Sequence, residues 1–129
     1  MKTPKILISW GELFDKITIL EIKLENLKTK NAIQNVKTEH DQLYKILDSN
    51  FSGNENAKQL MKDLKFVNQK LWDIEDRIRD KERSKTFDED FIELARGVYF
   101  TNDDRSRIKR NINEFFGSEL FEEKSYTNY

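Results

Sequence analysis

Leu13, Ile17, Leu20, Leu24 and Leu27 recur at steps of three and four residues, the spacing that lines one face of a helix. The same steps join Ile33, Val36, His40, Leu43 and Leu47, and then Leu60, Leu64, Val67, Leu71, Ile74 and Ile78 in near-heptad register. Two further runs follow, Phe91–Ala95–Val98–Tyr99 and Ile108–Ile112–Phe115. The pattern predicts helices over about residues 10–29, 32–48, 55–83, 87–100 and 103–116, with a tail over 118–129. The expected fold is all-α: one domain, an antiparallel helical bundle of about five helices with coiled-coil-like seams.

Local signals sharpen the ends. Ser9 stands three residues before Glu12, and Thr86 three before Glu89; both fit a capping box, in which hydroxyl and carboxylate satisfy two free backbone N–H groups. Thr101 or Asn102 predicts a fresh cap for a fifth helix, Gly117 a C-terminal stop, and the stretch NFSGNEN around Gly53 a loop. Ile19 and Ile22 lie off the first stripe. The first helix is therefore expected to be covered on two sides, by a neighbouring helix or a second copy, and the chain to form a homodimer.

Composition narrows the function classes. The 129 residues carry 23 basic and 24 acidic side chains for a net charge of −1, without the positive excess that neutralises phosphates in a general nucleic-acid binder. One Pro and four Gly leave few helix breakers. The absence of Cys excludes disulfides, thiolate metal sites and cysteine nucleophiles. A single His and no GxSxG elbow leave no basis for a nucleophilic triad. The apolar run in MKTPKILISW is too short for a signal-peptide core or a membrane span, so a soluble, cytoplasmic protein with no membrane partner is expected.

The candidate chemistry is ionic and falls on three walls. On the third helix, LWDIEDRIRDKE divides at about 100° per residue. Asn68, Trp72, Glu75, Arg79 and Glu82 flank the apolar stripe, while Asp73, Asp76 and Asp80 look outward. That flank is either a solvated face with an ordinary Glu75–Arg79 pair or one side of a polar cleft. The second wall is Arg105, Lys109 and Asn113, four residues apart, beginning at the expected helix start TNDDR, where free N–H groups and the helix dipole favour anions. The third is Glu12, Asp15 and Lys16 at the start of the first helix. Glu12 and Asp15, like Asp73, Asp76 and Asp80, have a spacing that brings carboxylates onto adjacent turns, as Mg²⁺ or Mn²⁺ would need. His40 lies on an apolar stripe and reads as a seam residue, not a ligand.

The blocks SWGELFDKITILEIKLE, LWDIEDRIRDKE, FIELARGVYFTNDDRSRIKRNIN and EEKSY, in that order, resemble a family of bacterial and phage proteins, the domain of unknown function family 6165. The resemblance covers nearly the whole chain except the region around residues 31–53. It implies no established activity, and a link to surface-polysaccharide biosynthesis, since some members lie beside or within glycosyltransferase and surface-polysaccharide genes. It also implies that Gly11, Glu12, Asp15, Lys16, Trp72, Glu75, Asp76, Arg79, Glu82, Arg96, Tyr99, Asn102, Asp103, Arg105, Lys109, Asn113 and the EEKSY tail (122–126) share a motif, which is a site or a salt-bridge network fixing helix register.

The leading expectation is an interhelical polar site for an anionic metabolite, a phosphosugar or nucleotide-sugar. Arg79, Arg105 and Lys109 would hold the anion. Lys16, Trp72, Glu82, Asn102 and Asn113 would complete the ligand shell, with Glu12 or Glu75 as acid/base if the protein is an enzyme. Two alternatives stay open. One is a Mg²⁺-dependent phosphohydrolase using Glu12, Glu75 and the metal candidates Asp15 and Asp76; Mg²⁺ enters only with this reading. The other is a non-enzymatic module that binds a glycosyltransferase or another protein.

Overall fold

The computed structural model describes every residue, Met1–Tyr129, and it is all-α. Four helices follow in order: α1 (Trp10–Asn26), α2 (Lys30–Phe51), α3 (Glu55–Arg83) and α4 (Glu89–Phe115). The expected fourth and fifth helices are one. TNDD does not restart the chain, because Leu94, Val98, Thr101, Arg105, Ile108 and Ile112 step four, three, four, three, four along a single seam. Thr101 is buried in that seam, and i,i+3 contacts of Asn102 with Arg105 and Asp104 with Arg107 brace the turn from outside. Tertiary packing overrides the cap-forming tendency of Thr, Asn and Asp.

The helix ends follow their side chains. Ser9 accepts from the Glu12 N–H and Asn54 from the Ala57 N–H. Asp88, not Thr86, caps α4, accepting from the Phe91 N–H. Gly117 adopts a left-handed φ of 65°, and the Ser118 N–H reaches back to the Asn113 carbonyl, a Schellman-type close. Gly53 turns the chain between α2 and α3 with φ 74°.

α1 is the centre of the molecule and packs on all three other helices. Trp10 meets Phe51 and Glu21 meets His40, so α2 runs antiparallel to α1. Gly11 lies by Asn113 and Asp15 by Arg105, so α4 does likewise. Phe14, Leu64 and Ile112 are fully buried and join α1, α3 and α4 in one core cluster with Ala57. Ile22 is buried too, and Ile19 half-buried. The second apolar side of α1 is thus covered within the chain and needs no second copy. By contrast, no residue of α2 is buried. Its stripe of Ile33, Val36, His40, Leu43 and Leu47 is only half-covered by α1. No helix is long and apolar enough to cross a membrane.

Candidate functional site

Asp15 is 2% exposed on α1, a position a carboxylate occupies only when its charge is answered. Arg105 on α4 answers it with a fork: Nε donates to Oδ1 at 2.9 Å and Nη2 to Oδ2. Asn68 on α3, itself buried, donates to the same Oδ1 at 2.9 Å and to Thr18 Oγ1 at 2.9 Å, while Thr18 donates to the Asp15 carbonyl. Three helices are therefore tied at one buried carboxylate. The hydrogen bonds that Arg105 donates to Asp15 raise the guanidinium above its ordinary value, against the opposing effect of burial.

One turn further along α4, Lys109 Nζ sits 2.6 Å from Glu12 Oε1 and 3.0 Å from Glu122 Oε2 of the tail. Burial works against this ammonium, but the hydrogen bonds it donates to Glu12 and Glu122 and the charge of Asp15 outweigh it, so its pKa is raised. Glu122 is lowered in return, chiefly by the Lys109 hydrogen bond. Beyond Lys109, Asn113 Oδ1 accepts from the Gly11 N–H at 2.7 Å and from Ser118 Oγ at 3.0 Å, and Ser118 Oγ accepts from the Trp10 N–H. The first three N–H groups of α1 are thus satisfied by Ser118, Asn113 and Ser9. The Glu12 carboxylate is turned to Lys109 and does not close the expected capping box. Among the buried side-chain nitrogen and oxygen atoms none lacks a partner.

The three walls therefore do not form one cleft. The first-helix and fourth-helix walls face each other and consume their charges, apart from Lys16, which pairs with Glu39 on the surface at 3.6 Å. Arg105 and Lys109 lie deep inside α4, not at a helix start, so no free N–H groups or dipole end supports an anion there. Glu82 pairs with Lys85 in solvent. The acidic candidates do not converge: no three Asp, Glu or His side chains gather in a group that could hold a metal ion, and Asp15 is already engaged by Arg105.

What remains is a groove beside the Asp15–Arg105 tie. It measures about 470 Å³, in the range of small-ligand pockets, and brings Trp72, Glu75, Asp76 and Arg79 of α3 together with Arg105 of α4 over a floor of Ile19, Ile22 and Leu71. Arg79 and Glu75 make an i,i+4 pair at 3.3 Å with the guanidinium 76% exposed, the ordinary surface pair that one sequence reading foresaw. Such a pair contributes roughly 0.2–0.5 kcal/mol, so Arg79 is easily drawn away from it. Arg105 bonds Asn102 only loosely, at 3.4 Å, and keeps donors to spare beyond Asp15. Of the two acid/base candidates, Glu75 lines this groove and Glu12 does not.

The family model for the family of unknown function DUF6165 matches residues 4–129. The chain belongs to this family. The match spans the region of α2 as well as the four motif blocks. No curated protein and no solved structure matches the chain.

Thr18 and Ser118 make contacts that the motif blocks did not single out, whereas Glu122 opens the EEKSY block. Thr18 had a legible signal, a hydroxyl next to an Ile on a helix otherwise lined with Leu and Ile. Ser118 directly follows the Gly117 stop, but only the fold brings it to Trp10.

Proposed function

We propose that this family member is a ligand-binding protein whose α3–α4 groove takes a compact sugar-type ligand carrying one anionic group, of the phosphosugar or nucleotide-sugar kind. The observation that carries the reading is the meeting of Trp72, Glu75, Asp76 and Arg79 with Arg105 in one groove with an apolar floor. An indole face stacks on the apolar face of a sugar ring or on a base. Carboxylates accept from sugar hydroxyls, and guanidinium groups match phosphate oxygens. Arg79 and Arg105 stand against Glu75, Asp76 and the buried Asp15, so an anion is held by directed hydrogen bonds and not by a net positive field. The Asp15 tie holds Arg105 in place before any ligand arrives, which lowers the ordering cost of binding.

Part of the motif, with Asn68, supports the groove from the α1 side. Glu12, Lys109, Asn113 and Asn68 lock α1 between α3 and α4 and set the distance from Trp72 to Arg105. A link to polysaccharide assembly fits such a ligand and belongs to this same proposal.

Thermal unfolding against glucose 1-phosphate, UDP-glucose, UDP and inorganic phosphate tests the reading. A ligand at 100 times its dissociation constant stabilises by about 2.7 kcal/mol, a midpoint rise of several degrees. The reading expects that rise with a sugar-containing phosphate and its loss in Arg79→Ala and in Trp72→Ala. A rise that survives both substitutions, or none across the panel, would overturn it.

A further inference from the structure

A chain of 15.5 kDa exposes 9501 Å², whereas a compact monomer of that mass exposes about 7200 Å². The extended termini carry part of the difference, and α2 is the one helix of the four with no buried residue. It is a 22-residue amphipathic helix, resting on α1 alone along most of its length. Where α2 and α3 diverge they leave a groove of about 480 Å³, lined by Tyr44, Leu47, Phe51 and Met61. Tyr44 is 45% exposed there, and the other three are half-buried.

The two rims of this groove are charged with opposite sign. Asp48 stands on the α2 rim, Lys58 and Lys62 on the α3 rim. Asp48 and Lys62 are exposed, and neither has an ion-pair partner in the chain. Two-fold contacts set one patch against itself in reverse, and an apolar floor between an acidic and a basic rim is complementary to itself under that operation. A stable interface removes about 800 Å² from each partner, well within the excess surface.

We infer that the α2–α3 groove is the face on which a second copy of this chain docks, about a two-fold axis that sets Asp48 of each copy against Lys62 of the other. The apolar sides of Tyr44, Leu47, Phe51 and Met61 then lose their contact with water, and α2 acquires the second cover that its stripe lacks. The inference is independent of ligand binding beside Trp72, which involves other faces of α1 and α3.

Sedimentation equilibrium of the full chain, with Lys62→Glu, Asp48→Lys and the double exchange, tests it. Both positions are exposed, and circular dichroism checks that each variant keeps its helices. The expected result is a wild-type mass of twice 15.5 kDa, dimer dissociation at least tenfold weaker in each single variant, and recovery in the double exchange. A wild-type chain that stays monomeric overturns the inference and leaves the groove to a different partner. A dimer indifferent to either single exchange, or not recovered by the double, places the interface elsewhere and overturns it as well.

Discussion

Gly11 on α1 lies so close to Lys109 on α4 that a Cβ at position 11 would stand 2.6 Å from the Lys109 carbonyl oxygen and 3.0 Å from Asn113 Oδ1. The first of these is backbone, which cannot swing aside. This approach lets the Gly11 N–H reach Asn113 at 2.7 Å, and it brings Glu12 and Asp15 within reach of Lys109 and Arg105. Gly11→Ala is expected to cost about 2–3 kcal/mol, the overpacking range, seen as a fall in the urea midpoint with an unchanged slope.

Gly97 is the internal control. It also sits within α4, but a Cβ there would meet only the Ile74 side chain, its terminal methyl at 3.2 Å and Cγ1 at an ordinary 3.8 Å. That methyl can rotate away, and Ala gains about 1 kcal/mol of helix preference over Gly. Gly97→Ala is expected to change stability by less than about 1 kcal/mol, which the same urea titration measures.

Removing the Asp15 carboxylate strands Arg105 and deprives Asn68 of an acceptor. Asp15→Ala is expected to cost about 3 kcal/mol, the lower end for breaking a buried pair, because the Arg105 side chain is still 28% exposed. Replacing both partners, as Asp15→Leu with Arg105→Met, is expected to recover much of that loss, since an apolar pair leaves no charge uncompensated. A double-mutant cycle gives the coupling directly; additive losses would mean that the tie contributes nothing beyond packing.

The C-terminal tail docks through groups that titrate. Glu122 is depressed below its ordinary 4.5 by the Lys109 hydrogen bond. A depressed carboxylate contributes at pH above its unfolded value and loses that contribution as pH falls through the folded one. The tail contact Lys109–Glu122 is therefore expected to hold at neutral pH and to be lost as pH falls below about 4.5, through the lowered folded value. Lys109 is raised, so its own contribution holds up to its unfolded value and is lost only above it, in strong base. Limited proteolysis across pH reads the acid release. Glu122→Gln is expected to expose the tail already at pH 7.

Much of this architecture could be read along the chain. The Leu13–Ile17–Leu20 stripe, the 55–83 span of α3 and the Gly117 stop all appear in the fold as the spacing implied, because each rests on a period or a backbone conformation local to its own segment. The continuity of α4 was also written in the steps from Leu94 to Ile112. It was masked by Thr101, Asn102, Asp103 and Asp104, whose side chains prefer caps but here face a packed neighbour or solvent. The site divided in the same way. Helix geometry placed Trp72, Glu75 and Arg79 on one flank, and the groove keeps them together. Periodicity cannot say which charges on different helices find each other, so Arg105 and Lys109 read as free cations although Asp15, Glu12 and Glu122 occupy them. Those pairings depend on sequence separations of 90, 97 and 13 residues and on the close approach at Gly11.

The two tryptophans offer the most direct test of the division between lock and groove. Trp10 packs edge-on against Phe51 beside the core cluster, and Trp72 lines the groove with Arg79 and Arg105. Their indole N–H signals can be followed separately in a ¹⁵N–¹H correlation spectrum while UDP-glucose or glucose 1-phosphate is added. With the ligand in the groove, the Trp72 signal is expected to move and saturate with the amides around Glu75 and Arg79, while Trp10 stays in place. A Trp72 signal that never moves, or shifts gathered around Lys109 and the tail instead, would contradict that division.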